Sequence, residues 1–98
     1  MVNVKIGESE YKLNSLSSLD LKKLEKAKEE NKLDDYDYSY FVILYAIKKF
    51  NKDVTMTLEE FQESFPIKNV EKTFNKIGEV IGLDFTVGIG KSPAGKKQ

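Results

Sequence analysis

The sequence predicts an α+β domain, mainly α, in which an N-terminal β-hairpin packs on a bundle of about four helices. Three observations carry this. Val2, Val4 and Ile6 alternate with Asn3 and Lys5, and after Gly7-Glu8-Ser9 the alternation resumes at Tyr11 and Leu13, as a hairpin requires. Beyond Leu16 the apolar residues recur at helical spacing between recognisable caps. A lone hairpin is barely stable in water, so its apolar side needs the helices as a partner.

The elements follow in order. Ser17 is an N-cap with Asp20 three positions on, a shorter relative of the capping box, and Leu16 with Leu21 would form the hydrophobic staple. Leu21, Leu24 and Lys28 continue one narrow stripe on a charged helix ending near Asn31 to Leu33. Asp34-Asp35-Tyr36-Asp37 suits the positive end of a second helix, read from Tyr40 to Phe50. Its apolar run could pass for a buried strand, but Lys48, Lys49 and Phe50 extend a helical pattern. A helix apolar nearly all round belongs at the centre of a core. Thr57-Leu58-Glu59-Glu60 is a capping box opening a third helix with Phe61 and Phe65, closed by Pro66. Val70, Phe74, Ile77 and Ile81 define a fourth, stopped at Gly82, with Gly78 inside it pointing to close packing. Phe85-Thr86-Val87 is a candidate third strand. Residues 1–90 read as one globular domain and 91–98 as a flexible basic tail.

Composition bounds the chemistry. At 98 residues, 40% hydrophobic and 33% charged, the chain is too apolar for disorder and too charged for a membrane protein. Its longest apolar run, Tyr40 to Ile47, is far short of the roughly twenty residues of a span. Met1 to Ile6 lacks the basic region and apolar stretch of a signal peptide, so the cytoplasm is expected. There is no His, Cys, Trp or Arg. Nucleophile pairs that depend on His, and zinc sites built on Cys and His, are therefore excluded. The three lysines of 91–98 leave the rest of the chain with a net charge of minus three, a poor match to a nucleic-acid-binding face.

Two apparent chemical motifs fail at named positions. Gly88-Ile89-Gly90-Lys91-Ser92 resembles the end of a phosphate-binding loop, but Phe85 stands where its first glycine belongs and Pro93 interrupts the helix that should follow. Asp35, Asp37 and Ser39 have the spacing of calcium ligands, but Tyr40 replaces the required glycine and Ala46 the closing glutamate. Glu59 and Glu63 share a helix face with no nucleophile or metal partner in the sequence nearby, which reads as a solvated surface. No enzymatic activity, cofactor or metal is expected. The remaining expectation is protein binding. Its candidate residues are Tyr36, Tyr38, Tyr40, Phe41, Tyr45, Phe61, Phe65 and Phe74. Periodicity leaves open which of them are core and which interface.

The order of motifs carries a resemblance. Ile6-Gly7-Glu8-Ser9-Glu10-Tyr11-Lys12-Leu13 precedes Leu19-Asp20-Leu21-Lys22-Lys23-Leu24-Glu25. An apolar helix, Val54-Thr55-Met56-Thr57-Leu58-Glu59-Glu60-Phe61 and a helix ending Ile81-Gly82-Leu83 follow. Over residues 2–83 this resembles the tail assembly chaperones of long-tailed bacteriophages. The resemblance implies a chaperone that coats the apolar, helical tape-measure protein in the host cytoplasm until tail-tube subunits replace it. It also implies the frameshifted longer product common in such families, with which Lys96-Lys97 is compatible. The expected partners are the tape-measure protein or another phage structural protein, with no nucleic acid and no membrane. An apolar face left open would also promote self-association. The alternatives are a structural phage subunit, such as a head–tail connector or tail-associated component, and a small nucleic-acid-binding regulator.

Overall fold

The computed structural model describes residues 1–85. Strands β1 (Val2–Ile6) and β2 (Ser9–Leu13) form an antiparallel hairpin, followed by α1 (Ser18–Glu30), α2 (Asp35–Phe50), α3 (Leu58–Ser64) and α4 (Val70–Ile81). This is the α+β arrangement expected, a hairpin with four helices. Thr86, Val87, the Gly88–Ser92 motif and the tail 91–98 lie outside the described residues; Phe85 itself is not in a strand.

Local chemistry explains the element ends. Gly7, at φ 63°, opens a two-residue turn that pairs Ile6 with Ser9. Register then puts Val4 opposite Tyr11 and Val2 opposite Leu13, and burial of Val4, Ile6 and Leu13 fixes the inner face. Both expected capping boxes form. Ser17 accepts from the Asp20 N–H while Asp20 accepts from the Ser17 N–H, and Thr57 and Glu60 do the same. The second helix starts earlier than its apolar run suggested. Asp34 caps it, and Asp35 and Asp37 occupy its first turn, where carboxylates suit the helix dipole. Phe65 is the C-cap of α3 rather than a helical residue, with extended backbone ahead of Pro66. Leu21 is exposed, so the expected staple with Leu16 covers little, and Leu24 is the only apolar side chain that α1 buries.

The core is organised around α2, which buries Tyr40, Val42, Ile43, Leu44, Ala46 and Ile47. Tyr40 meets the rings of Phe61, Phe65 and Phe74 edge-on at centroid distances of 6.4, 5.3 and 5.1 Å. Phe65 packs edge-on against Phe61 and Phe74, and Phe85 tilts against Phe74 at 5.5 Å. Edge-to-face pairs add about 0.5–1.5 kcal/mol each beyond the area they bury. One aromatic cluster thus joins α2, α3, α4 and the segment after α4. The hairpin closes another side of α2. Asn51, just past α2, donates to the Lys12 carbonyl at 2.8 Å and accepts from the Lys12 N–H at 3.0 Å, satisfying that part of the outer edge of β2.

At the end of α4, Gly82 takes a left-handed φ of 89°, and the N–H groups of Gly82 and Leu83 both donate to the Gly78 carbonyl. The chain folds back so closely that a Cβ on Gly78 would sit 2.3 Å from the Leu83 carbonyl oxygen and 3.1 Å from the Phe85 ring. Alanine is ordinarily favoured over glycine inside a helix by about 1 kcal/mol. Here Gly78→Ala should instead destabilise the fold by about 1–3 kcal/mol, because backbone must shift to admit the methyl. Urea unfolding checks this: an unchanged or higher midpoint would show that residues 83–85 do not lie against α4.

Candidate functional site

Beside the buried Leu24, a polar hub joins the start of α1 to α2. The Asp20 carboxylate is 4% exposed. One oxygen accepts from the Tyr45 hydroxyl at 2.7 Å. The other accepts from the Lys49 ammonium and from the Ser17 N–H and hydroxyl at 2.8 and 3.0 Å. Among the described residues no buried side-chain nitrogen or oxygen lacks a partner, as a polar group taken out of water requires. Lys49 first, then the Ser17 N–H and the Tyr45 hydroxyl, hold the Asp20 carboxyl well below the usual carboxylate range, against the opposing effect of burial. The same hydrogen bond, reinforced by burial, pushes the Tyr45 hydroxyl up to about 12.

Beside this hub lies an open cleft of about 610 Å³ between the two helices. Phe41, Leu44, Tyr45 and Lys48 line it from α2, and Leu19, Asp20 and Lys23 from α1. The α2 residues stand at i, i+3, i+4 and i+7, so they form one stripe along a single face. Leu44 is the buried floor, Phe41 and Tyr45 are half-buried walls, and Leu19 is 59% exposed at the rim. α1 therefore leaves part of the α2 stripe uncovered. Three lysines, Lys23, Lys48 and Lys49, border the cleft. Its one carboxylate, Asp20, is already engaged by Lys49, while Lys23 and Lys48 join no ion pair among the described residues.

The sequence candidates divide. Phe41 and Tyr45 come together in the cleft. Tyr40, Phe61, Phe65 and Phe74 belong to the aromatic core, where burial takes them away from any partner; burial also pushes the Tyr40 hydroxyl well above its ordinary value. Tyr36 is 50% exposed and packs edge-on against Tyr40, with the two hydroxyls 3.1 Å apart. Tyr38 lies in a different groove, lined also by Leu21, Val42 and Leu83, and carries the Lys28 ammonium over its ring at 4.9 Å. Asp35 and Asp37 serve the start of α2 and its neighbours: Asp35 pairs with Lys28 at 2.9 Å, and Asp37 accepts from Gln62 at 2.9 Å. No group of three or more metal-binding side chains forms among the described residues. Glu59 and Glu63 are exposed on α3, and Glu60 serves the capping box.

No protein-family model, curated protein or solved structure matches this chain. Among the described residues no helix is long and apolar enough to cross a membrane.

Sequence reasoning missed Leu19, Lys23, Leu44 and Lys48. The α2 stripe was present in the spacing, but it was masked because that helix is apolar on nearly every side. Asp20 was read only as a cap.

The depressed ionisation of Asp20 makes stability depend on pH. Its contribution is fully present above the unfolded value near 3.9 and is lost as pH falls below that toward the lower folded value. Asp20→Asn should cost about 2 kcal/mol at neutral pH, by weakening charge-assisted hydrogen bonds to a buried site. It should also flatten the acid limb below about pH 4, because the substituted side chain no longer ionises. Parallel acid-unfolding curves for Asp20→Asn and the unsubstituted protein test both points; identical limbs would mean that the hub carries no linkage.

Proposed function

We propose that this chain is a non-enzymatic protein-binding factor, and that it acts as a phage tail assembly chaperone for the tape-measure protein. The observation that carries the reading is the half-covered α2 stripe of Phe41, Leu44 and Tyr45, beside the exposed Leu19. An apolar stripe left half-covered beside an exposed leucine is the kind of patch that marks an interaction surface. Helix-in-groove recognition is the binding mode such a cleft serves. Two helices form its walls, and its α2 stripe runs from Phe41 to Lys48, the length over which a partner helix presents apolar residues at i, i+3, i+4 and i+7. The resemblance to tail assembly chaperones adds the identity of the partner. Its motifs fall on the hairpin, the start of α1 and the start of α3.

A shallow, partly polar cleft suits a holding factor that must later be displaced, because affinity then stays modest. Co-expression with the tape-measure protein of the same phage should give a soluble complex that co-purifies, and the chain should be absent from finished particles. Failure to form a complex, with no gain in solubility, would overturn the reading. Stoichiometric amounts in purified virions would point instead to a structural subunit.

A further inference from the structure

We infer that the cleft between α1 and α2 takes an acidic amphipathic helix, with apolar side chains seated on Phe41, Leu44 and Tyr45 and carboxylates meeting Lys23 and Lys48. The inference deepens the protein-binding reading and rests on it.

Charge is the first argument. The described body is acidic outside this region: α3 presents Glu59 and Glu63, and the start of α2 presents Asp34, Asp35 and Asp37. The cleft departs from that background. It carries three lysines against one carboxylate, and that carboxylate is satisfied internally by Lys49, Tyr45 and Ser17. Lys49 is thereby neutralised locally, which leaves Lys23 and Lys48 as the cations that face an occupant. They stand on opposite walls, Lys23 on α1 and Lys48 on α2. A helix lying between the walls would meet one on each side.

The second argument is the chemistry of the walls. Lysine stems are apolar and their ammonium ends reach outward, so Lys23 and Lys48 extend the apolar walls while placing charge at the rim. Phe41 and Tyr45 offer large, stiff surfaces of the kind that dominates binding energy at protein interfaces. The Tyr45 hydroxyl is already committed to Asp20, so the ring is held in place before a partner arrives. An occupant therefore meets a preformed site, with little ordering left to do.

Charge also selects against a cationic helix. Such a segment would place ammonium groups beside Lys23 and Lys48 with no uncommitted carboxylate in the cleft to offset them.

The test uses fluorescence anisotropy with the full chain and two labelled helical peptides of about sixteen residues. Both carry leucine at i, i+3, i+4 and i+7; one has glutamate at the flanking positions and the other lysine. The glutamate peptide should bind at least about tenfold more tightly than the lysine peptide, and added salt should narrow the difference. Leu19→Glu and the double variant Lys23→Glu/Lys48→Glu should each weaken glutamate-peptide binding by about tenfold or more. All three positions are exposed, so the circular dichroism spectrum should be unchanged in these variants.

Equal binding of the two peptides, binding indifferent to the variants, or no binding by either would overturn the inference. So would a homodimer in sedimentation that Leu19→Glu converts to monomer, since a second copy would then fill the cleft. Binding of decanoate lost in the double variant, with no peptide binding, would likewise mark a site for small anionic amphiphiles and overturn it. The two readings fail separately. If Leu19→Glu captures the tape-measure protein as well as the unsubstituted chain does, the cleft is wrong and the chaperone role stands. If the peptides bind as expected and no tape-measure complex forms, the role is wrong and the cleft stands.

Discussion

A helix with apolar side chains on nearly all sides needs to be wrapped, and α2 sets that demand for the whole chain. Val42, Ile43, Ala46 and Ile47 are all but inaccessible to water. The hairpin contributes Val4, Ile6 and Leu13; α3 and its end contribute Phe61 and Phe65; and α4 contributes Phe74, Ile77 and Ile81. The edge-to-face rings around Tyr40 join α2 to α3, its end and α4. A domain this small has few further apolar residues with which to finish the wrapping. On the side facing α1, Phe41 and Tyr45 stay only half-buried.

The way α1 is attached follows from that shortage. It buries Leu24 and the Asp20 carboxylate, and most of its other side chains are charged. Hydrogen bonds are directional where apolar contact is not. The Asp20 hub therefore fixes the start of α1 against Tyr45 and Lys49 without laying a second apolar surface over Phe41. At the far end, the pair between Lys28 and Asp35 is solvent-exposed and contributes little. The hub anchors α1 together with Leu24, and it does so without covering the cleft beside it.

What could be read in the sequence was local. Ser17 with Asp20 and Thr57 with Glu60 are read within a few residues, and Gly82 ends a helix wherever it stands after an apolar stripe. Val4, Ile6 and Leu13 were legible because alternation in a hairpin has one buried phase. The start of α2 was less so, since Asp35 and Asp37 look like a loop until Asp34 is recognised as the cap. The contacts that define the site join distant positions: Asp20 with Tyr45 and Lys49, and Lys12 with Asn51. No periodicity encodes such pairs. The same limit explains the aromatic residues. Tyr40 and Phe41 are adjacent and chemically alike, yet one closes the core and the other lines the cleft, because the neighbouring elements cover one side of α2 and not the other.

The carboxylate that helps to anchor α1 also decides which lysines of the cleft stay free. Paired or not, Asp20 is one carboxylate against three lysines, so the cleft keeps its positive sign. Buried and bound to Lys49, it removes one charge of each sign and leaves Lys23 and Lys48 unopposed. The lysines supply the electrostatic preference, and Asp20 decides that Lys23 and Lys48, not Lys49, express it. On the proposed function, this coupling has a consequence for release. A partner carboxylate has little to gain from Lys49, which is already committed, and interacts chiefly with two exposed ammonium groups whose attraction is weakened by water and salt. The apolar stripe then supplies most of the affinity and the lysines supply the selection. That division keeps binding reversible, as a factor that must give way to permanent subunits requires.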